Sequence, residues 1–441
     1  MTQGPLFTKL LMFSLPIMLT GILQLLYNAT DIIVVGQFTG ERALAAVGST
    51  GSLTNLLVNV FIGLSMGANV VVARNLGAKD DERVHKAVHT SILLSIVSGL
   101  FISGVGIIFA KPLLEIMGTP EDIIDLAALY MRICFAGMPA AMVYNFGASI
   151  LRAKGDTKRP LWFLMISGFI NVVLNLIFVI VFGMSVDGVA LATIISQYIS
   201  MIMIIIALVR LKDSCKLSLK KLRFYKAELK NVLRIGLPAG IQSSLFAVSN
   251  VLIQWSVNSF GSVVVAGYTA SMNIENFIYI SMNSISQGAL TFTSQNYGAR
   301  KPDRIKKILW QSIGIVTVIG LILGTFATVF ARDLIGLYTS APEVIEVGAL
   351  RLCIVAVSYI LCGIMEVFVG VIRGMNYSVM PMIVSLLGAC GFRILWIFTI
   401  FAIDKNIVIL YLSYPISWIL TDVAHLICYL ITKNKVKAKL T

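Results

Sequence analysis

The sequence predicts an all-α membrane protein: twelve transmembrane helices in two six-helix lobes related by a pseudo-two-fold internal repeat. Three observations carry this. Only 13% of the 441 residues are charged, against roughly 25% in a soluble domain. Apolar runs long enough to cross a bilayer core, which takes about 20 helical residues, recur from end to end. A set of residues also recurs at a spacing of 221.

The apolar runs place spans at 10–36, 52–73, 87–110, 123–150, 161–183 and 188–209. A second six follow at 232–260, 270–295, 308–330, 345–372, 380–402 and 408–432. Turn-forming stretches separate them, among them Phe38-Thr39-Gly40, Gly118-Thr119-Pro120, Lys154-Gly155-Asp156 and Lys301-Pro302. The first run is full-length and lacks a small-residue cleavage site, so it reads as a helix.

The net charge of +14 sits between the apolar runs, which marks it as topogenic and argues against nucleic acid as a partner. All but seven of the 35 Lys and Arg residues fall at the termini or in the even-numbered connections. Both termini are therefore expected in the cytoplasm. The longest polar stretch, 210–231, lies mid-chain. It divides an N-terminal lobe (1–209) from a C-terminal lobe (232–441).

Ser65 to Ala78 aligns with Ser286 to Ala299, with six of fourteen positions identical. The same spacing pairs Gly40 with Gly261, Arg83 with Arg304, Arg152 with Arg373 and Pro160 with Pro381. Leu15-Pro16 pairs with Leu237-Pro238, one residue off. Parallel repeats of this kind form a cleft that can open to either side by rocking.

Several chemistries are excluded. No phosphate-binding loop of the GxxxxGK[ST] type is present, and no polar segment could hold a nucleotide-binding domain. The six cysteines form no CxxC motif. Cys134, Cys353, Cys362, Cys390 and Cys428 read as small apolar residues, and Cys215 lies in the basic connection. His85 and His89 are four apart, but no third ligand accompanies them. They read as a solvated helix end, and no metal is expected.

Ionisable residues inside a bilayer cost about 2.5–3.5 kcal/mol each and so need a reason. The candidates are Asp31, Glu275, Glu366, Arg393 and Asp422, with His425 nearby. Counting 1.5 Å per residue puts Asp31, Asn175 and Thr193 within about 8–12 Å of the external face. Asn171 and Asn175, four apart, share a helix face. These four side chains form one oxygen-bearing layer suited to a cation, and a carboxylate can hold a proton instead. In the second half, Arg393 lies between Glu275 and Glu366 in depth. It is expected to pair with one of them, as a gate, a substrate-facing charge or a structural ion pair. Asp422 and His425, three apart, suggest a local hydrogen-bonded pair or a proton relay.

These residues resemble the bacterial MATE (multidrug and toxic compound extrusion) antiporters. The resemblance rests on Leu15-Pro16, Asp31 and Gly36, on Gly67-Ala68, Asn75 and Gly77-Ala78, and on Leu151-Arg152 with Gly155-Asp156 and Pro160. Asn171, Asn175 and Gly188 to Thr193 complete it. It covers nearly the whole chain. It implies a monomer in the bacterial inner membrane, not an enzyme, that exports amphipathic, cationic small molecules in exchange for H⁺ or Na⁺ with no further cofactor. It also implies that Asp31, Asn171, Asn175 and Thr193 form the coupling-cation site. Relatives often carry an aspartate where this chain has Asn175. Some carry an acidic pair on helices 7 and 10, where this chain has only Glu366, about one turn away. Phe392 and Trp396 stand where Asn171 and Asn175 would repeat. The alternative reading is a lipid-linked oligosaccharide flippase of a related fold, which would carry a more basic cavity.

Overall fold

The computed structural model describes residues 1–440, and every regular element among them is helical. The first half contains α1 (Leu6–Phe38), α2 (Glu41–Gly77), α3 (Asp81–Ile116), α4 (Glu121–Ala136), α5 (Met138–Lys154), α6 (Lys158–Leu176) and α7 (Val186–Val209). The second contains α8 (Lys226–Asn258), α9 (Ser262–Gly298), α10 (Pro302–Val329), α11 (Ala331–Gly336), α12 (Pro342–Val355) and α13 (Tyr359–Gly374). It ends with α14 (Val379–Ser385), α15 (Phe392–Phe398), α16 (Ile400–Ile403) and α17 (Ile407–Leu440).

Among the described residues, nine helical stretches are long and apolar enough to cross a membrane. Two bent pairs pass the same test together: α4 with α5, bent by 44°, and α12 with α13, bent by 48°. The twelfth predicted span is α9. It is 37 residues long but too polar for that test, because its buried face carries serines, threonines, Glu275, Gln295 and Asn296. A single π-helical turn follows α6 at Ile177–Val181, and another joins α14 to α15 at Leu386–Gly391.

The internal repeat extends to the backbone. Gly40 and Gly261, 221 apart, precede α2 and α9 with φ of 89° and 92°. Lys79 and Arg300 take φ of 56° and 54°, and Gly155 and Asn376 take 107° and 73°. Each of these last four ends a helix in the left-handed region, where a long-range amide bond closes the final turn. Asp80 N donates to Asn75 O and Lys301 N to Asn296 O, at 3.1 and 2.9 Å. Asp156 N donates to Leu151 O and Tyr377 N to Ile372 O, at 2.9 and 3.2 Å. The two halves thus share stop signals even where Lys faces Arg or Gly faces Asn.

The chain forms two compact units. One is Leu19–Gly240; the other is Ile241–Thr441 together with Met1–Met18. The predicted lobes differ from these units in the opening of α1, in 232–240 and in the connection 210–231, which belongs to the first unit. Thr441, the end of the predicted C-terminal lobe, lies outside the described residues. The start of α1 joins the second unit because Leu10, Phe13 and Ile17 are buried in its core with Met282, Phe292 and Val371. The Phe13 and Phe292 rings meet edge-on, with centroids 5.4 Å apart. Lys301 Nζ donates to Thr2 O at 2.9 Å and ties down the terminus.

In the first unit the mid-chain connection is packed against the body. Ser218 N donates to His89 Nε2 at 3.0 Å, and Tyr225 N donates to Thr90 Oγ1 at 3.1 Å. Lys154 forms an ion pair with Asp213. His89 is therefore a buried structural residue and not the solvated helix end expected of it. Its Nδ1 lies 2.7 Å from His85 O, so the protein itself engages both ring nitrogens. Cys215 is buried in the same connection, and desolvation pushes its thiol pKa up to about 12.

In this unit α2 crosses the start of α8 at bare backbone. Gly63 and Gly67 face Gly236 and Gly240, two small-xxx-small pairs of the kind that bring membrane helices close. A Cβ on Gly240 would overlap Val60 O, and one on Gly63 would overlap Gly240 N. Overpacking costs about 1–3 kcal/mol. Gly240→Ala is expected to lower stability by that amount, read as a lower Tm in detergent. An unchanged Tm would mean the crossing is looser than described.

Candidate functional site

Asp31, the one carboxylate of α1, lies two turns before its end. α6 brings Asn171 and Asn175 to one face, and α7 brings Thr193. The four side chains meet. Asn175 Nδ2 donates to Asp31 Oδ1 at 2.5 Å and to Asn171 Oδ1 at 3.3 Å. Asn171 Nδ2 donates to Thr193 Oγ1 at 3.4 Å. Thr193 Oγ1 lies 3.4 Å from Asp31 Oδ2 and also donates to Val189 O, at 3.0 Å. The contacts form a closed circuit around one carboxylate. Asn171 and Asn175 are buried inside the unit and do not face lipid.

Asp31 and its neighbours open on a cavity of about 410 Å³ within this unit. Its wall is polar by membrane standards, with Gln24, Asn28, Asn55, Asn145 and Gln197. Gly168 makes room for the Tyr27 ring on that wall: a Cβ there would overlap the ring carbons. Asn175 Oδ1 is buried and accepts no hydrogen bond among the described residues. A cation or a protonated acid would complete it, because the amide can turn its oxygen toward Asp31.

The second unit is organised differently. Glu275 on α9 pairs with Arg351 on α12, Nε to Oε1 at 3.0 Å and Nη2 to Oε2 at 2.9 Å. Both side chains are 1% exposed. Ser271 Oγ and Tyr359 OH donate to the same carboxylate, at 2.7 and 3.2 Å. Tyr268, Tyr411 and Tyr414 surround the Arg351 guanidinium at 4.2–5.1 Å. The expected pairing of Arg393 with a glutamate is therefore not formed. Arg351 fills both oxygens of Glu275 with a two-pronged contact. Arg393 Nε instead donates to Ser417 Oγ at 2.9 Å, and its guanidinium lies over Tyr414 and Trp418 at 4.3 and 5.3 Å. Glu366 makes no ion pair among the described residues; its backbone O accepts from Ser286 Oγ at 2.6 Å.

Asp422 and His425 do not bond to each other, contrary to the local pair expected from their spacing. His425 Nε2 turns to Ser385 Oγ at 2.9 Å, on α14. Both Asp422 oxygens and His425 Nδ1 are buried without a hydrogen-bond partner among the described residues. Where Asn171 and Asn175 would repeat, the Phe392 and Trp396 rings lie 5.6 Å apart. Among the described residues, the second unit thus has no copy of the Asp31 circuit.

The MatE family profile matches residues 16–177 and again 238–399, once in each half. The chain belongs to the MatE family. Both matches of this MatE protein begin at a proline inside a long helix, Pro16 in α1 and Pro238 in α8. It is 28% identical over 390 residues to the probable multidrug resistance protein YoeA of Bacillus subtilis (strain 168), covering 87% of this chain and 84% of YoeA. It is 24% identical to the FAD transporter of Shewanella oneidensis, covering 87% and 86%. The crystal structure of a mutant of the Vibrio cholerae MATE transporter VcmN superposes with a TM-score of 0.91. It is 23% identical and covers 98% of this chain and 97% of that one. These likenesses describe a multi-pass membrane transporter, and they do not favour the flippase alternative.

The partner of Glu275, Arg351, is not among the membrane charges named from the sequence, although it lies nine positions into α12. One signal was available: Tyr411, Tyr414 and Trp418 share one face of α17, an aromatic lining suited to a buried guanidinium.

Proposed function

We propose that this MatE protein is a secondary antiporter of the bacterial inner membrane, with both termini cytoplasmic. In this reading it exports amphipathic, cationic compounds by alternating access, in exchange for H⁺ or Na⁺. The observation that carries the proposal is the closed circuit of Asn171, Asn175 and Thr193 around Asp31, open to a polar cavity. Asp31 is the only formal charge in that circuit. With Asn175 in place of a second acid, sodium loses a compensating charge, whereas a proton needs none. The circuit therefore suits proton exchange better than sodium exchange.

Transport in everted vesicles tests this. Ethidium uptake driven by a pH gradient, and collapsed by a protonophore, is the expected result. Uptake that survives the protonophore but needs a Na⁺ gradient would overturn the proton assignment. Flavin dinucleotide, the cargo named for the Shewanella relative, serves as the contrasting substrate. Uptake of it without uptake of ethidium would overturn the cationic assignment.

A further inference from the structure

A cavity of about 830 Å³ opens in the first unit where α6 begins and α7 ends, away from the residues around Asp31. Its wall is apolar: Trp162 and Phe163 from α6, and Met203, Ile206 and Ala207 from α7. Trp162 is 57% exposed and Ile206 44%, so large apolar side chains stand open on both sides of the groove. Its rim is basic, with Lys154, Arg159, Arg210 and Lys212. Lys154 is neutralised by Asp213, and Arg159 lies 3.1 Å from Asp156. Arg210 and Lys212 are exposed and make no ion pair among the described residues.

We propose that this groove is a binding site for an anionic glycerophospholipid of the inner leaflet. Its acyl chain would run along Trp162, Phe163 and Ile206, with its phosphodiester at Arg159, Arg210 and Lys212. Three features argue for this occupant. The basic rim belongs to the connections whose positive charge marks the cytoplasmic side, and basic pockets between helices on that side suit anionic headgroups. Trp162 lies about one turn from the start of α6, at the interfacial depth where tryptophan anchors helices. Apolar wall and basic rim are contiguous. A soluble anion would leave the wall uncovered, and an amphipathic cation would face two unpaired positive charges. Guanidinium groups match a phosphodiester with two-pronged hydrogen bonds. The site is independent of the coupling reaction proposed above.

The test uses the full chain purified in detergent. It is offered phosphatidylglycerol, phosphatidylcholine with the same acyl chains, or inorganic phosphate, and is read by native mass spectrometry and thermal melting. Wild type is expected to retain phosphatidylglycerol in preference to phosphatidylcholine and to melt higher with it. Arg210→Gln/Lys212→Gln is expected to lose about tenfold in that retention while keeping the wild-type Tm without lipid. Trp162→Ala should weaken retention as well. Lys306→Gln/Lys307→Gln removes the same charge from exposed positions on α10 and should change nothing. Equal retention by wild type and the Arg210/Lys212 variant would overturn the proposal, as would no preference over phosphatidylcholine. Stabilisation by inorganic phosphate equal to that by phosphatidylglycerol would also overturn it, in favour of a soluble-anion site.

Discussion

Asp31→Asn is expected to reduce drug efflux to the level of cells without the transporter, while the protein remains in the membrane at wild-type abundance. The amide has the shape of the carboxylate and can keep contact with Asn175 and Thr193, so the fold should persist. What it cannot do is take up and release a proton, or balance the charge of a bound cation. Asp31 is the only carboxylate in the circuit, so no neighbour can take over. Efflux in a pump-deficient host, alongside quantitation of membrane protein, checks this. Wild-type efflux by a well-expressed Asp31→Asn variant would sink the coupling assignment.

Arg351→Leu is expected to be the most destabilising single change in the second unit. It leaves Glu275 buried at 1% exposure with only two hydroxyl donors. Breaking a buried ion pair from one side costs about 3–5 kcal/mol, because the surviving charge has no compensation. The variant should melt well below wild type. Glu275→Gln/Arg351→Leu should recover most of the loss, since removing both charges removes the uncompensated one. A double variant as unstable as the single one would show that the arginine acts mainly through its tyrosine cage. Separately, a stable double variant that no longer transports would assign the pair to function as well as to structure.

Much of the fold was legible because a bilayer imposes a length on every span. Each predicted run is helical, α9 included despite its polarity, although 123–150 and 345–372 are each broken into two helices bent by 44° and 48°. The Asp31 circuit was legible for a related reason. A helix converts residue number into depth, and the four-residue spacing of Asn171 and Asn175 settles which side of α6 they share. The breaks were harder to read. Gly137 alone separates α4 from α5, with Pro139 in the first turn of α5, and Ala356 to Ser358 separate α12 from α13. Neither break interrupts the apolar pattern. The partner of Glu275 was hidden for a deeper reason. Depth alone admits both Arg351 and Arg393, and the choice depends on how α12 and α15 are rotated, which the local sequence does not encode. The spacing of Asp422 and His425 misled in the same way. It places them near each other, but Ser385 on another helix takes the imidazole.

The glycine crossing of α2 and α8 bears on how this protein can change over evolutionary time. Most contacts between helices can be retuned in small steps, because a larger side chain on one partner can be met by a smaller one on the other. Here both partners are already at the minimum, at Gly63, Gly67, Gly236 and Gly240, and the atoms a new side chain would strike are backbone. No compensating substitution exists for such a clash. A library randomised at these four positions and selected for surviving transporter should return glycine at nearly all of them. The neighbouring Leu64, Leu237 and Ala239 should drift freely among residues of similar volume.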